Sequence, residues 1–153
     1  MFCEHCGDTD GNETGVDHDE RDCPWYADDS WTAEELEGVL RQTADGNPTM
    51  TAAVDLLATH GIWLPRIAGR EDLMVTDETG EVYDLDWPTI ADAVNELTLI
   101  GSGSELRILG FAAALACDRV SVRLGDAVTG LDATNLSLLL HAIATANGRP
   151  DAA

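Results

Sequence analysis

There is no lysine in this sequence: its 8 basic residues are all arginine, set against 29 acids, for a net charge of −21. A phosphate backbone is held by the opposite sign, so direct nucleic-acid binding is disfavoured. No apolar run approaches the ~20 residues of a bilayer-spanning helix, which argues against membrane insertion. The opening MFCEHCGD has neither a basic region nor an apolar stretch, so no secretory signal is expected and a cytoplasmic setting is. P-loop, Rossmann glycine fingerprint and H-E-x-x-H motif are all missing.

What is present is a core. Hydrophobic residues make up 44% of 153 positions, enough for one domain with a small appendage. The charge is uneven: −12 over residues 1–45, −8 over 46–100 and −1 over 101–153. An acidic surface of this kind keeps a protein soluble or adapts it to salt. It also suits a protein that competes with DNA or RNA for a basic partner.

The apolar stretch at 102–117, SGSELRILGFAAALAC, reads as the central helix of the core. Ser102 and Glu105 have capping-box spacing, and apolar residues follow on every face. Earlier, Thr32 and Glu35 repeat that box before a helix carrying Leu36, Val39 and Leu40, which stops near Asp45-Gly46. Asn47-Pro48 opens a second helix bearing Met50, Ala53, Val54 and Leu57, with Gly61 as its cap. IWLP at 62–65 reads as a short extended segment. A β-hairpin is predicted from Leu73–Asp77 and Glu81–Trp87 around Thr79-Gly80, with Val75, Val82 and Leu85 facing the core. Asp86-Trp87-Pro88 starts a helix with Ile90, Ala93, Val94 and Leu97. Val120, Val122 and Leu124 read as a short extra strand, and residues 125–131 as one or two helical turns. Asp132 caps a last, nearly all-apolar helix over 133–147, the expected main partner of the central one. The fold class is therefore α+β: a mostly helical main domain over 32–150, with a hairpin and a short extra strand. A zinc-knuckle-like appendage over residues 1–31 precedes it.

That appendage holds the strongest chemical signal, Cys3-x2-Cys6-Gly7 followed by His18-x4-Cys23. Two thiolates three positions apart, a glycine to permit the turn, then a histidine and a third cysteine make a tetrahedral Cys3His set for Zn2+. Four protein ligands leave no open position, so the zinc would be structural and would supply the segment's folding energy. His5 is an alternative to His18. The plainer alternatives are three reduced surface cysteines or a Cys3–Cys6 disulfide. Asp8, Asp10 and Asn12 with Asp19 resemble a calcium loop, but Glu13 stands where its glycine belongs.

The remaining candidates have simple structural readings. Cys117 suits a small core residue, and His60 suits a helix C-terminus. Ser137, His141 and Thr145 share one strip of the last helix without an orienting acid. Asp84 and Asp86 pair on one strand face beside Trp87. Gly101 and Gly103 precede a helix start.

Two passages, TAAVDLLATHGIWLPR at 51–66 and 101–149 with its serine-capped helix, VSVRL and LD-led apolar helix, resemble small acidic proteins of unknown function from actinobacteria and their phages. The resemblance spans about half of the chain. It implies GC-rich coding, consistent with arginine in place of lysine, and a cytoplasmic setting, the host's if phage-encoded. No catalytic motif comes with it. The expected function is a non-enzymatic protein–protein interaction or accessory protein with structural zinc and a protein partner, a basic one being the natural match. Alternatives are an acidic nucleic-acid mimic that inhibits a DNA- or RNA-handling or defence enzyme, and a zinc-dependent enzyme. The near-neutral last helix leaves room for a homodimer interface.

Overall fold

Thr32 starts the first helix, as its spacing to Glu35 predicts. Its hydroxyl accepts from the Glu35 amide at 3.2 Å, and the Glu35 carboxylate accepts from the Thr32 amide at 3.0 Å. The computed structural model describes residues 30–153, and residues 31–153 form one compact unit. In chain order its helices are α1 (Ala33–Ala44), α2 (Pro48–His60), α3 (Trp63–Ala68), α4 (Trp87–Asn95), α5 (Gly103–Ala116), α6 (Leu124–Val128) and α7 (Ala133–Ala146). Short 3-10 turns lie at Glu71–Leu73 and Pro150–Ala152. Strands β1 (Met74–Thr76) and β2 (Val82–Leu85) pair antiparallel, so the unit is mostly helical α+β. The predicted zinc-knuckle-like appendage lies outside the described residues.

Local chemistry accounts for the element ends. Asn47, Asp86, Ser102 and Asp132 each accept an amide hydrogen bond from the third residue of the helix that follows. Gly61 closes α2 at φ +74°, in the left-handed region that glycine adopts without cost. At the hairpin tip the Asp77 carboxylate accepts from the Thr79 amide, the Thr79 hydroxyl and the Glu81 amide.

The core is organised differently from expectation. The centre is α2, which packs against α1, α3, α5 and α7. Ala52, Ala53, Val54, Leu56 and Leu57 are all buried, and the two alanines let neighbours approach closely from both sides. Asp55, its one charged residue, is ion-paired with Arg41 of α1. By contrast, Leu106, Phe111 and Leu115 of α5 are only half-buried, and the main partner of α7 is α2, not α5.

Three local expectations are corrected. Residues 62–65 are not extended, because Trp63 starts α3. Its buried residues Trp63, Leu64, Ile67 and Ala68 recur at helical spacing, and Pro65 sits in the first turn, where its missing amide is no loss. The expected strand at 120–124 is not formed: the sole sheet among the described residues is β1–β2, so Val120–Leu124 finds no neighbour to pair with. Leu124 instead begins α6 and is 65% exposed. In the hairpin, Val82 and Leu85 are buried as predicted, but Val75 is only half-buried. Met74 lies opposite Leu85 and takes the inward face, so the period of two turns Val75, opposite Asp84, away from it.

Helix α4 ends on an unusual residue. The Thr98 amide donates to the Ala93 carbonyl at 3.0 Å, and the Leu97 amide to Val94 at 3.3 Å, a Schellman ending. The left-handed position, where glycine is usual, is held by Leu97 at φ +55°, and its side chain is 74% exposed instead of completing the α4 stripe. Leu97→Gly should therefore stabilise the protein by about 1 kcal/mol. Urea unfolding would show it, and Leu97→Ala, which keeps the β-carbon, should give no such gain.

Candidate functional site

The predicted zinc ligands Cys3, Cys6, His18 and Cys23, with His5 as alternative, lie outside the described residues. Among the described residues no group of three or more His, Cys, Asp or Glu side chains is placed to hold a metal ion. Cys117 caps α5, and its thiol lies 3.7 Å from the Trp87 carbonyl.

The carboxylates Asp84 and Asp86 do not act as a pair. Asp84 accepts from the Leu85 amide at 2.8 Å and the Trp87 indole at 3.2 Å, and burial pushes its pKa above the usual carboxylate value. Asp86 is committed to capping α4 through the Thr89 amide at 3.0 Å. On α7, Ser137 and His141 are both exposed, with no hydrogen bond between them, so a nucleophile–base pair is not assembled.

A polar cluster joins α3 to the start of α5, a grouping that no spacing along the chain announces. The Trp63 indole N–H donates to the Glu105 carbonyl at 2.8 Å. The Arg66 guanidinium lies 5.1 Å from the Trp63 ring centroid and donates to Glu105 at 3.0 Å and to the Ile100 carbonyl at 3.2 Å. Gly101 fits beside them because a β-carbon there would meet the indole and the carboxylate at 3.1 Å. The sequence carries part of the signal: Glu105 has capping-box spacing to Ser102, while Arg66, 39 residues away, has no local partner.

The Ser102 amide first, then Arg66, holds the Glu105 carboxyl below its ordinary value of 4.5. A carboxylate with a depressed folded pKa contributes stability that is complete above pH 4.5 and is lost as pH falls through the folded value. Glu105→Gln should therefore flatten the acid-side fall of the thermal midpoint below pH 4.5. An unchanged acid limb would contradict that role. Nearby, His60 ends α2 with its Nδ1 buried and unpartnered, and burial lowers its pKa below 6.5. This group favours the fold while neutral and destabilises it as pH falls below 6.5.

A cleft of about 690 Å3 lies between α4, α5 and the 120–129 segment. Its lining includes Val94, Leu106 and Val120, with Arg107 and Arg123. Elsewhere the surface is acidic. The hairpin tip shows Asp77, Glu78 and Glu81, all exposed, and the Thr79 hydroxyl and amide keep Asp77 well ionised. The exposed side of α7 is different again: Leu136, Leu140 and Ile143 form an apolar row on a helix without acids or arginines.

No protein-family model, curated protein or solved structure matches this chain. The fold and surfaces together define a class: a small, acidic, mostly helical α+β unit with a ligand-sized cleft. No helix among the described residues is long and apolar enough to cross a membrane.

Proposed function

We propose that this protein is a non-enzymatic interaction protein whose acidic surface docks a basic protein partner, with structural Zn2+ on Cys3, Cys6, His18 and Cys23 shaping its N-terminal appendage. The observation that carries the reading is the hairpin tip. Asp77, Glu78 and Glu81 are all exposed there, and no arginine is ion-paired with them among the described residues. Supporting it, Asp84, Asp86 and Glu105 are committed to capping, packing or ion pairing, not gathered for chemistry. A homodimer would use the uncharged row on α7, where two copies carrying −21 each can meet with least repulsion.

The test of the appendage is metal content by mass spectrometry on protein purified without added zinc. One zinc per chain is expected in the parent. Its loss is expected in Cys3→Ser/Cys6→Ser, with the body still folded, and a metal-free parent would end the zinc assignment. For the partner, a photo-reactive group at position 79 would capture what the tip touches. Binding of that partner should weaken steeply with salt and fall by about tenfold in Asp77→Asn/Glu78→Gln/Glu81→Gln. Salt-insensitive binding would reject the acidic docking face. Turnover lost on mutating a single solvent-facing polar residue would reject the non-enzymatic reading.

The second reading, an acidic nucleic-acid mimic directed at a DNA- or RNA-handling or defence enzyme, is favoured by the −20 carried on residues 1–100. Duplex DNA should then displace the captured partner; an ordinary basic partner would stay bound.

A further inference from the structure

Arg107, Arg123 and Arg149 have no ion pair among the described residues, and the first two of them share one recess. Arg41, Arg66, Arg70 and Arg119 are all ion-paired with nearby acids. Arg107, half-buried on α5, and Arg123, just before α6, make no ion pair among the described residues, and both line the 690 Å3 cleft. The acid in that lining is Asp126, so the recess carries +1 inside a chain of −21. Gly103, the first residue of α5, adds the positive end of a helix dipole to the same lining.

Around these cations Val94, Leu106 and Val120 give the wall an apolar part, beside the polar Asn95, Ser121 and Thr129. Leu97 also lines the cleft, and it is the residue held at φ +55° with its side chain 74% exposed. A left-handed backbone and a bare leucine are both unfavourable in the free protein, and they coincide at a concave site whose volume suits a small molecule. Guanidinium groups without a protein carboxylate present planar forks that take a carboxylate or phosphate bidentately.

We propose that the cleft between α4, α5 and α6 binds a small organic anion with an apolar body. Arg107 and Arg123 take its carboxylate or phosphate, and Leu97, Val94 and Leu106 cover its apolar part.

The test is a titration of the full chain, followed by amide NMR shifts at about 0.15 M salt, with decanoate, decyl phosphate and decanol as probes. At least one anion should shift the amides of residues 94–97, 103–107 and 120–129 and bind about tenfold more tightly than decanol, a gap of the size that one charge-assisted contact supplies. The tighter anion tells a carboxylate source from a phosphate source. Arg107→Gln/Arg123→Gln should erase the preference, and Arg123→Gln alone, at an exposed position, should reduce it without touching the core. Arg149→Gln removes an equal charge outside the cleft and should leave binding unchanged. Leu97→Gly should weaken anion binding while raising the urea midpoint, a pairing of effects that a merely structural leucine would not give. Decanol binding as tightly as both anions, an equal loss in Arg149→Gln, or shifts confined to α7 would each overturn the proposal.

Discussion

Trp63→Ala is expected to cost about 3–5 kcal/mol, the range for truncating a large buried aromatic side chain. The indole is 2% exposed and starts α3, a six-residue helix that has no side-chain cap of its own. Three attachments go with it: the hydrogen bond to the Glu105 carbonyl, the stacked Arg66 guanidinium, and the close fit over Gly101. Trp63→Phe separates these contributions. It keeps most of the apolar volume and loses the indole N–H, so it should cost about 1–3 kcal/mol. Urea unfolding followed by circular dichroism reads both variants. A cost below 1 kcal/mol for Trp63→Ala would mean that α3 is held by other contacts and that the cluster at the start of α5 is incidental.

Leu57→Ala is expected to cost about 2–5 kcal/mol, because the side chain is fully buried on the helix that packs against α1, α3, α5 and α7. The cavity would be slow to collapse, since α1, α3, α5 and α7 pin α2 from different directions. Leu140→Ala on α7 is the matched control: at 51% exposure it should change stability by no more than about 0.5 kcal/mol. A reversal of this order would restore α5, rather than α2, as the organising element, and would place α7 deeper in the core than its burial pattern allows.

Much of the fold was legible in the sequence where the cause is local. Thr32 with Glu35, Asn47-Pro48, Asp86, Ser102 with Glu105, and Asp132 each mark a helix start by a bond spanning three residues. Where alternation alone was the signal, the reading failed at Val120–Leu124, because a strand exists only if another strand lies beside it. Pro65 hid α3 for a related reason. A proline reads as a break until its place in a first turn is known.

The candidate site was less legible still. The cleft needs the end of α4, the first turns of α5 and the 120–129 segment side by side, and no spacing along the chain announces that. Nor does the sequence say which arginines find acids: Arg119 reaches Asp92, 27 residues back, while Arg107 and Arg123 pair with no acid among the described residues.

Composition and short-range pattern by themselves determined the acidic balance, the helix caps, the hairpin and the mostly helical α+β class, since each depends on groups within a few residues of one another. Only the tertiary structure decided that α2 holds the centre, that Trp63 and Arg66 meet Glu105, and that two arginines share a partly apolar cleft with a strained leucine. Those outcomes rest on contacts between positions tens of residues apart, where burial and charge pairing across the core select the partner and the local sequence does not encode it.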